Sequence, residues 1–180
     1  MYVGEYRDLL RDGQGSYTFP GNFFHYSGSW RRGKMHGQGE LTLGDGTSYE
    51  GEFQDGEIEG VGLKRWPDGS SYSGHFREGE MHGEGVYLSA SGERYEGGWE
   101  NNQRYGHGQL RLANGYIFSG NFAAHYPSGL GKMVYASTGH VYEGEWLAGV
   151  RCGNGLLQDA SGDRLYEGHW RDNRRNGDGV

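Results

Sequence analysis

The sequence predicts an all-β protein, an elongated single-layer twisted antiparallel sheet built of tandem β-hairpins. Three observations predict it. An aromatic, a glycine and an aromatic stand at alternating positions in a pattern that recurs eight times along 180 residues. Each copy is followed by a polar turn and then by a second pair of alternating glycines. The copies are spaced 23 or 24 residues apart from one end of the chain to the other. Residues two apart share a face only in a strand, whereas around a helix they splay. Each copy therefore reads as strand, turn, strand, with a short turn into the next.

Counting from the first aromatic as position 0, the repeats start at Tyr2, Tyr26, Tyr49, Tyr72, Tyr95, Phe118, Tyr142 and Tyr166. Residues 1–180 thus read as one continuous array, with the last repeat truncated at Val180. Position 2 is always glycine, and position 4 is always aromatic: Tyr6, Trp30, Phe53, Phe76, Trp99, Phe122, Trp146 and Trp170. Positions 11 and 13 are glycine throughout, from Gly13 and Gly15 to Gly177 and Gly179. The glycines read as steric devices. Neighbouring strands lie only about 4.8 Å apart, and a bare backbone leaves a gap in which a wide ring can lie. Glycine inside a strand often marks such close approach.

Along the chain, the first repeat is irregular. Leu9 stands at position 7, which favours glycine or asparagine, so a different turn is expected there. Phe19-Pro20-Gly21-Asn22-Phe23-Phe24 forms the connection, with a bend at Pro20-Gly21. Repeats two to four are the most regular, with Gly33, Gly56 and Gly79 at position 7 and turn signals at Asp45-Gly46, Pro67-Asp68-Gly69 and Ser91-Gly92. Leu41 and Leu43 continue the glycine face of the second strand, and Lys64 interrupts the corresponding row before Trp66. In the sixth repeat His125-Tyr126-Pro127 predicts the most distorted turn and a change of curvature. The step of 24 after Phe118 and after Tyr142 predicts a bulge in each connection. The eighth repeat ends just beyond its glycine pair, leaving a bare edge that either a longer parent chain or a second chain would cover.

Composition bounds the function. Hydrophobic residues are 33% of the chain and mean hydropathy is −0.88, too little for a thick two-layer core. The 14% aromatic content and the strict period argue for order, in an array where each repeat needs its neighbours and none folds alone. A net charge of −7 disfavours nucleic acid and other strongly anionic partners overall. The single cysteine, Cys152, rules out an intrachain disulfide and suits a reducing compartment. No apolar run approaches a membrane span and no secretory signal is visible, so a cytoplasmic location is expected.

The pattern Y-x-G-x-W, a polar turn and G-x-G, as in Tyr26 to Gly39 and Tyr142 to Gly155, resembles the MORN repeat. The resemblance covers essentially the whole chain. It implies an open array of consecutive hairpins, in which sixteen strands would extend roughly 75 Å. The family's usual histidine before the first glycine stands here only as His36 and His82; Asp12, Glu59, Tyr105, Ser128, Cys152 and Asn176 take its place elsewhere. Members of the family include cytoskeletal scaffolds, ciliary proteins, motor-protein partners, junctional membrane proteins, and accessory modules on lipid kinases and a histone methyltransferase.

Several sites are weighed. A one-layer sheet is expected to leave part of its aromatic stripe open as a trough for a partner peptide or amphipathic helix. The candidate anchors are Tyr26, Trp30, Tyr49, Phe53, Tyr72, Phe76, Tyr95, Trp99, Tyr142, Trp146 and Trp170. Positions 5 to 9 hold eleven of the seventeen Lys and Arg but seven of the twenty-four acids. Their clusters, Arg31, Arg32, Lys34 and Arg171, Arg174, Arg175, are candidate contacts for anionic phospholipid, at about 1 kcal/mol per basic residue near a membrane. Self-association through the C-terminal edge is a further expectation. The repeated G-x-G lacks the strand–loop–helix context of a phosphate loop. The histidines are scattered, so no metal and no cofactor is expected. No nucleophile–base constellation accompanies Cys152, and the glutamate pairs Glu50/Glu52 and Glu143/Glu145 read as solubilising. The reading is a non-enzymatic scaffold, associated with cytoskeleton or membrane. The alternatives are a phosphoinositide-binding module working through the basic turns, or the accessory region of a larger enzyme.

Overall fold

A computed structural model describes residues 1–177 and 179–180. The chain is all-β: sixteen strands follow one another in sequence order in one open antiparallel sheet. It divides into two compact units of four hairpins, Met1–Ala90 and Ser91–Val180. The first unit holds β1 (Tyr2–Arg7), β2 (Leu10–Thr18), β3 (Phe24–Arg31), β4 (Lys34–Leu43), β5 (Ser48–Gln54), β6 (Glu57–Arg65), β7 (Ser71–Arg77) and β8 (Glu80–Leu88). The second holds β9 (Arg94–Glu100), β10 (Gln103–Arg111), β11 (Ile117–Ala123), β12 (Tyr126–Val134), β13 (Val141–Leu147), β14 (Val150–Gln158), β15 (Arg164–Arg171) and β16 (Arg174–Arg175). Among the described residues the only helical piece is a 3₁₀ turn at Pro20–Asn22.

Glycine sets the register. In the first unit Gly4, Gly15, Gly28, Gly39, Gly51, Gly62, Gly74 and Gly85 face one another in a single row across the strands. In the second unit Gly97, Gly108, Gly120, Gly131, Gly144, Gly155 and Gly168 do the same. The row is bare because the position-0 ring of each hairpin lies across it. A Cβ added to Gly39 would stand 2.5 Å from Tyr26 Cε2, and one added to Gly28 would stand 2.7 Å from its hydroxyl. The ring thus takes the room that two side chains would otherwise fill.

The position-11 glycines have another reason. Hairpins from β1/β2 to β13/β14 shift register between positions 2 and 4, so the second strand carries a bulge. The bulge holds position 11 at a left-handed φ, from 54° at Gly153 to 97° at Gly13. An ordinary side chain there is strained even where space is open. Sequence reasoning gave both glycines a steric role; one is steric and the other conformational.

The turns overturn two expectations. All eight have both central residues at positive φ, as a two-residue type I′ turn requires. Leu9 (φ 65°) follows Asp8 (φ 51°), and His125 (φ 75°) follows Ala124 (φ 46°), as Gly33 (φ 84°) follows Arg32 (φ 48°). Neither the first nor the sixth turn is of a different kind. The flanking pairs Arg7↔Leu10 and Ala123↔Tyr126 hold the strands at two-residue separation, and the ladder overrides local preference. Of the bulges expected in the connections, the one after Tyr142 is present, between Leu157 and Gln158. The one after Phe118 is absent, since Val134 pairs Val141 in register. The last repeat is less bare than expected. Val180 exchanges two backbone hydrogen bonds with Glu167, at 3.1 and 2.9 Å, while Asp178 lies outside the described residues.

Candidate interaction site

The position-0 tyrosine adds a side-chain bond to the position-3 carbonyl of its own strand, which in the eighth repeat also accepts the Asn176 N–H at 2.8 Å. Tyr26 donates its hydroxyl to Ser29 O at 2.8 Å, Tyr49 to Glu52 O at 3.0 Å and Tyr166 to His169 O at 2.8 Å. Tyr2, Tyr72, Tyr95 and Tyr142 make the same bond. Burial pushes the phenols of Tyr26, Tyr49 and Tyr142 up to about 12. The position-4 tryptophans reach the other way. Trp30 donates Nε1–H to Gly15 O in the preceding hairpin at 2.9 Å, Trp146 to Gly131 O at 3.2 Å and Trp170 to Gly155 O at 3.0 Å.

The rings then interlock edge to face. In the first unit Tyr2, Trp30, Tyr26, Phe53, Tyr49, Phe76 and Tyr72 form an unbroken chain, with centroids 5.0–5.4 Å apart. In the second unit the chain runs through Trp99, Tyr95, Phe122, Phe118, Trp146, Tyr142, Trp170 and Tyr166 at the same spacings. Each T-shaped contact adds about 0.5–1.5 kcal/mol beyond area burial. Guanidinium groups roof the rings in places: Arg11 lies 4.2 Å from the Trp30 centroid and Arg151 4.4 Å from that of Trp170.

This packing changes what the stripe can offer. Tyr26, Tyr72, Tyr95 and Tyr142 are 0% exposed, and Trp30, Tyr49, Phe53, Phe76, Trp99, Trp146 and Trp170 are at most 6% exposed. A single layer buries them because each position-0 ring lies in a glycine gap and each position-4 ring is wedged between two position-0 rings. The expected open trough along these eleven residues is closed within the chain itself. Two places stay open on the ring face: Tyr6 in the first repeat, 62% exposed, and a group that the sequence treats as a connection. Phe19 and Phe23 are 41% and 69% exposed. Phe24 stacks on Phe19 at 5.2 Å and approaches Tyr17 at 5.8 Å. The signal was in the sequence: three phenylalanines stand where the other connectors carry Asp, Ser, Asn or Thr followed by Gly.

The basic residues sit on the turns, as expected of positions 5 to 9. Arg31 pairs with Lys34 across the turn that contains Arg32. In the second unit Arg171, Arg174 and Arg175 line one polar cleft with Asp172 and Asn176, and Arg175 also lies over the Tyr166 ring at 5.2 Å. At position 10, the carboxylates of Asp12 and Glu59 accept the backbone N–H of the next turn, from Arg32 at 3.2 Å and Glu78 at 2.9 Å. His36 and His82 stand in this position with a buried Nδ1 that has no hydrogen-bond partner among the described residues. Cys152 is half-buried; burial, then the nearby Glu145 carboxylate, push its thiol up, away from thiolate chemistry. Among the described residues no group of three or more His, Cys, Asp and Glu could hold a metal. No helix is long and apolar enough to cross a membrane.

The MORN repeat family model matches residues 2–22, 26–48, 49–71, 72–94, 95–115, 118–139, 142–164 and 166–180. The chain belongs to the MORN-repeat family. Among solved structures, this MORN array is similar to the TCP domain of SAS-4 (dCPAP) of Drosophila melanogaster, solved with a proline-rich motif of Ana2 (dSTIL). The TM-score is 0.52 at 11% identity, over 85% of this chain and 82% of that one. The wild-type TCP10 domain of Danio rerio CPAP aligns with a TM-score of 0.42 at 14% identity, over 87% and 79%. At 11% identity the first likeness is one of fold.

Proposed function

We propose that this chain is a non-enzymatic protein-interaction scaffold that captures an extended segment of a partner protein on its ring face. The observation that carries the reading is the contiguous aromatic group Tyr17, Phe19, Phe23 and Phe24, with Phe19 and Phe23 41% and 69% exposed on a face where the repeat rings from Tyr26 to Trp170 are buried. Contiguous exposed aromatic surface is costly in water and marks interaction sites. MORN membership supports the reading, as does a neighbour in fold whose structure holds a proline-rich peptide. The scaffold is placed in the cytoplasm, joined to cytoskeletal or membrane-linked assemblies through its partner.

The test is selection of phage-displayed random peptides on the immobilised chain. Enriched peptides should bind in solution with micromolar affinity, and their scrambled versions should not. Failure to enrich any sequence over repeated rounds would refute the scaffold reading.

A further inference from the structure

We propose that the ring row Phe23, Phe24 and Tyr17, ending at the Arg11 guanidinium that covers Trp30, is a docking site for a proline-rich segment with acidic residues at one end. This deepens the scaffold reading and rests on it. Phe23 and Phe24 are surplus to the repeat. At the register position of Phe24 the third and fourth repeats carry Thr47 and Ser70, both buried beside an Asp-Gly turn whose carboxylate caps their N–H. Only the junction of β2 and β3 replaces that polar closure with phenylalanine.

The spacing suits one class of ligand. Centroids step 6.5 Å from Phe23 to Phe24, 5.8 Å to Tyr17 and 6.3 Å to Trp30. Two residues of a polyproline II helix advance about 6.2 Å, so alternate residues can rest between successive rings. The row runs along the strand, because Phe24 and Trp30 both stand on β3. A flat sheet face has its backbone donors and acceptors spent in the ladders, so an added strand would find no partners here. A polyproline helix needs none. The Tyr17 hydroxyl makes no hydrogen bond among the described residues and can donate to a ligand carbonyl.

Charge gives the direction. The cleft over these rings, about 340 Å³, is lined at the Trp30 end by Arg11 and Lys34 and by no acid. Lys34 forms no ion pair among the described residues. The cleft at the other end, beside Phe23 and Leu43, has Asp45 in its wall. The acidic end of the ligand therefore lies at Trp30.

The experiment follows backbone and indole N–H resonances of the whole chain by NMR. Three synthetic peptides are titrated: a proline-rich peptide with an aspartate tail, the same peptide with a lysine tail, and a Gly-Ser peptide with the aspartate tail. The acidic proline-rich peptide should shift the Trp30 indole and the amides of Phe19, Phe23 and Phe24. The lysine-tailed peptide should bind at least fivefold more weakly, and the Gly-Ser peptide should leave these signals unmoved. Phe23→Ser, at a ring 69% exposed, should weaken binding about tenfold without lowering the melting temperature, and adding Phe19→Ser should weaken it further. Lys34→Glu should weaken the acidic peptide and strengthen the lysine-tailed one. No shift at millimolar peptide, or shifts confined to other residues, would overturn the site; peptides selected by phage display that ignore the double variant would do so while leaving the scaffold reading intact. A concentration-dependent dimer abolished by Phe23→Ser would overturn it in favour of a second copy as occupant.

Discussion

Leu9 shows at the residue scale how far the ladder overrides preference. It holds φ 65° with its side chain 96% exposed, so it suffers backbone strain with no contact in return. Glycine populates that region freely. Leu9→Gly should therefore raise the unfolding free energy by about 0.5–1 kcal/mol, read from chemical denaturation. An unchanged or lower midpoint would mean that the turn is not strained. His125 is a less clean case. Its N–H bonds Arg104 O at 3.1 Å, and burial, with Arg104 beside it, holds its imidazole below the usual range. The sequence ranks residues for such turns correctly. It does not reveal that two flanking strands leave the chain no other connection.

At the scale of the hairpin, the tyrosine hydroxyl and the bulge form one device. The bulge lies opposite the position-3 residue, and the ring that fills the glycine gap carries a donor to that residue's carbonyl. Tyr26→Phe keeps the ring and removes the donor, and should cost about 1 kcal/mol. Phe118 is the natural counterpart, a position-0 ring without a hydroxyl. Phe118→Tyr should gain up to about 1 kcal/mol by donating to Asn121 O, whereas a loss of stability there would show that the sixth bulge is differently arranged. The bulge itself was not legible in the sequence. G-x-G fits a plain strand as well as a bulged one, and only the positive φ of Gly37 and its equivalents separates the two. The hairpin was legible, because period-2 aromatics and a polar turn have no other reading.

For the molecule as a whole, the buried phenols set an alkaline limit. Tyr26, Tyr49 and Tyr142 ionise near 12 in the folded chain, against 10.0 for a free phenol. The folded state therefore keeps protons that the unfolded state releases, and the stabilisation is complete below pH 10 and lost as pH rises through about 12. Ultraviolet titration should show the exposed phenols ionising first and the buried ones only with unfolding; smooth titration of all of them at pH 10 with the fold retained would contradict the ring packing. The fold class and the repeat frame were legible because spacing alone carries them. The candidate site was legible only as an odd connector, Phe19 to Phe24, because which rings end up covered depends on how neighbouring hairpins interlock, and a list of aromatics does not contain that. The same interlocking is reciprocal. Gly33 N–H bonds Arg11 O, Trp30 Nε1–H bonds Gly15 O, and Gly149 and Trp170 likewise reach into the hairpin before them. Arg11 and Arg151 in turn reach downstream, to Gly33 O and Asn173 O, so as the polypeptide leaves the ribosome each newborn hairpin docks on the acceptors of the one before it and supplies the acceptors that hairpin lacked.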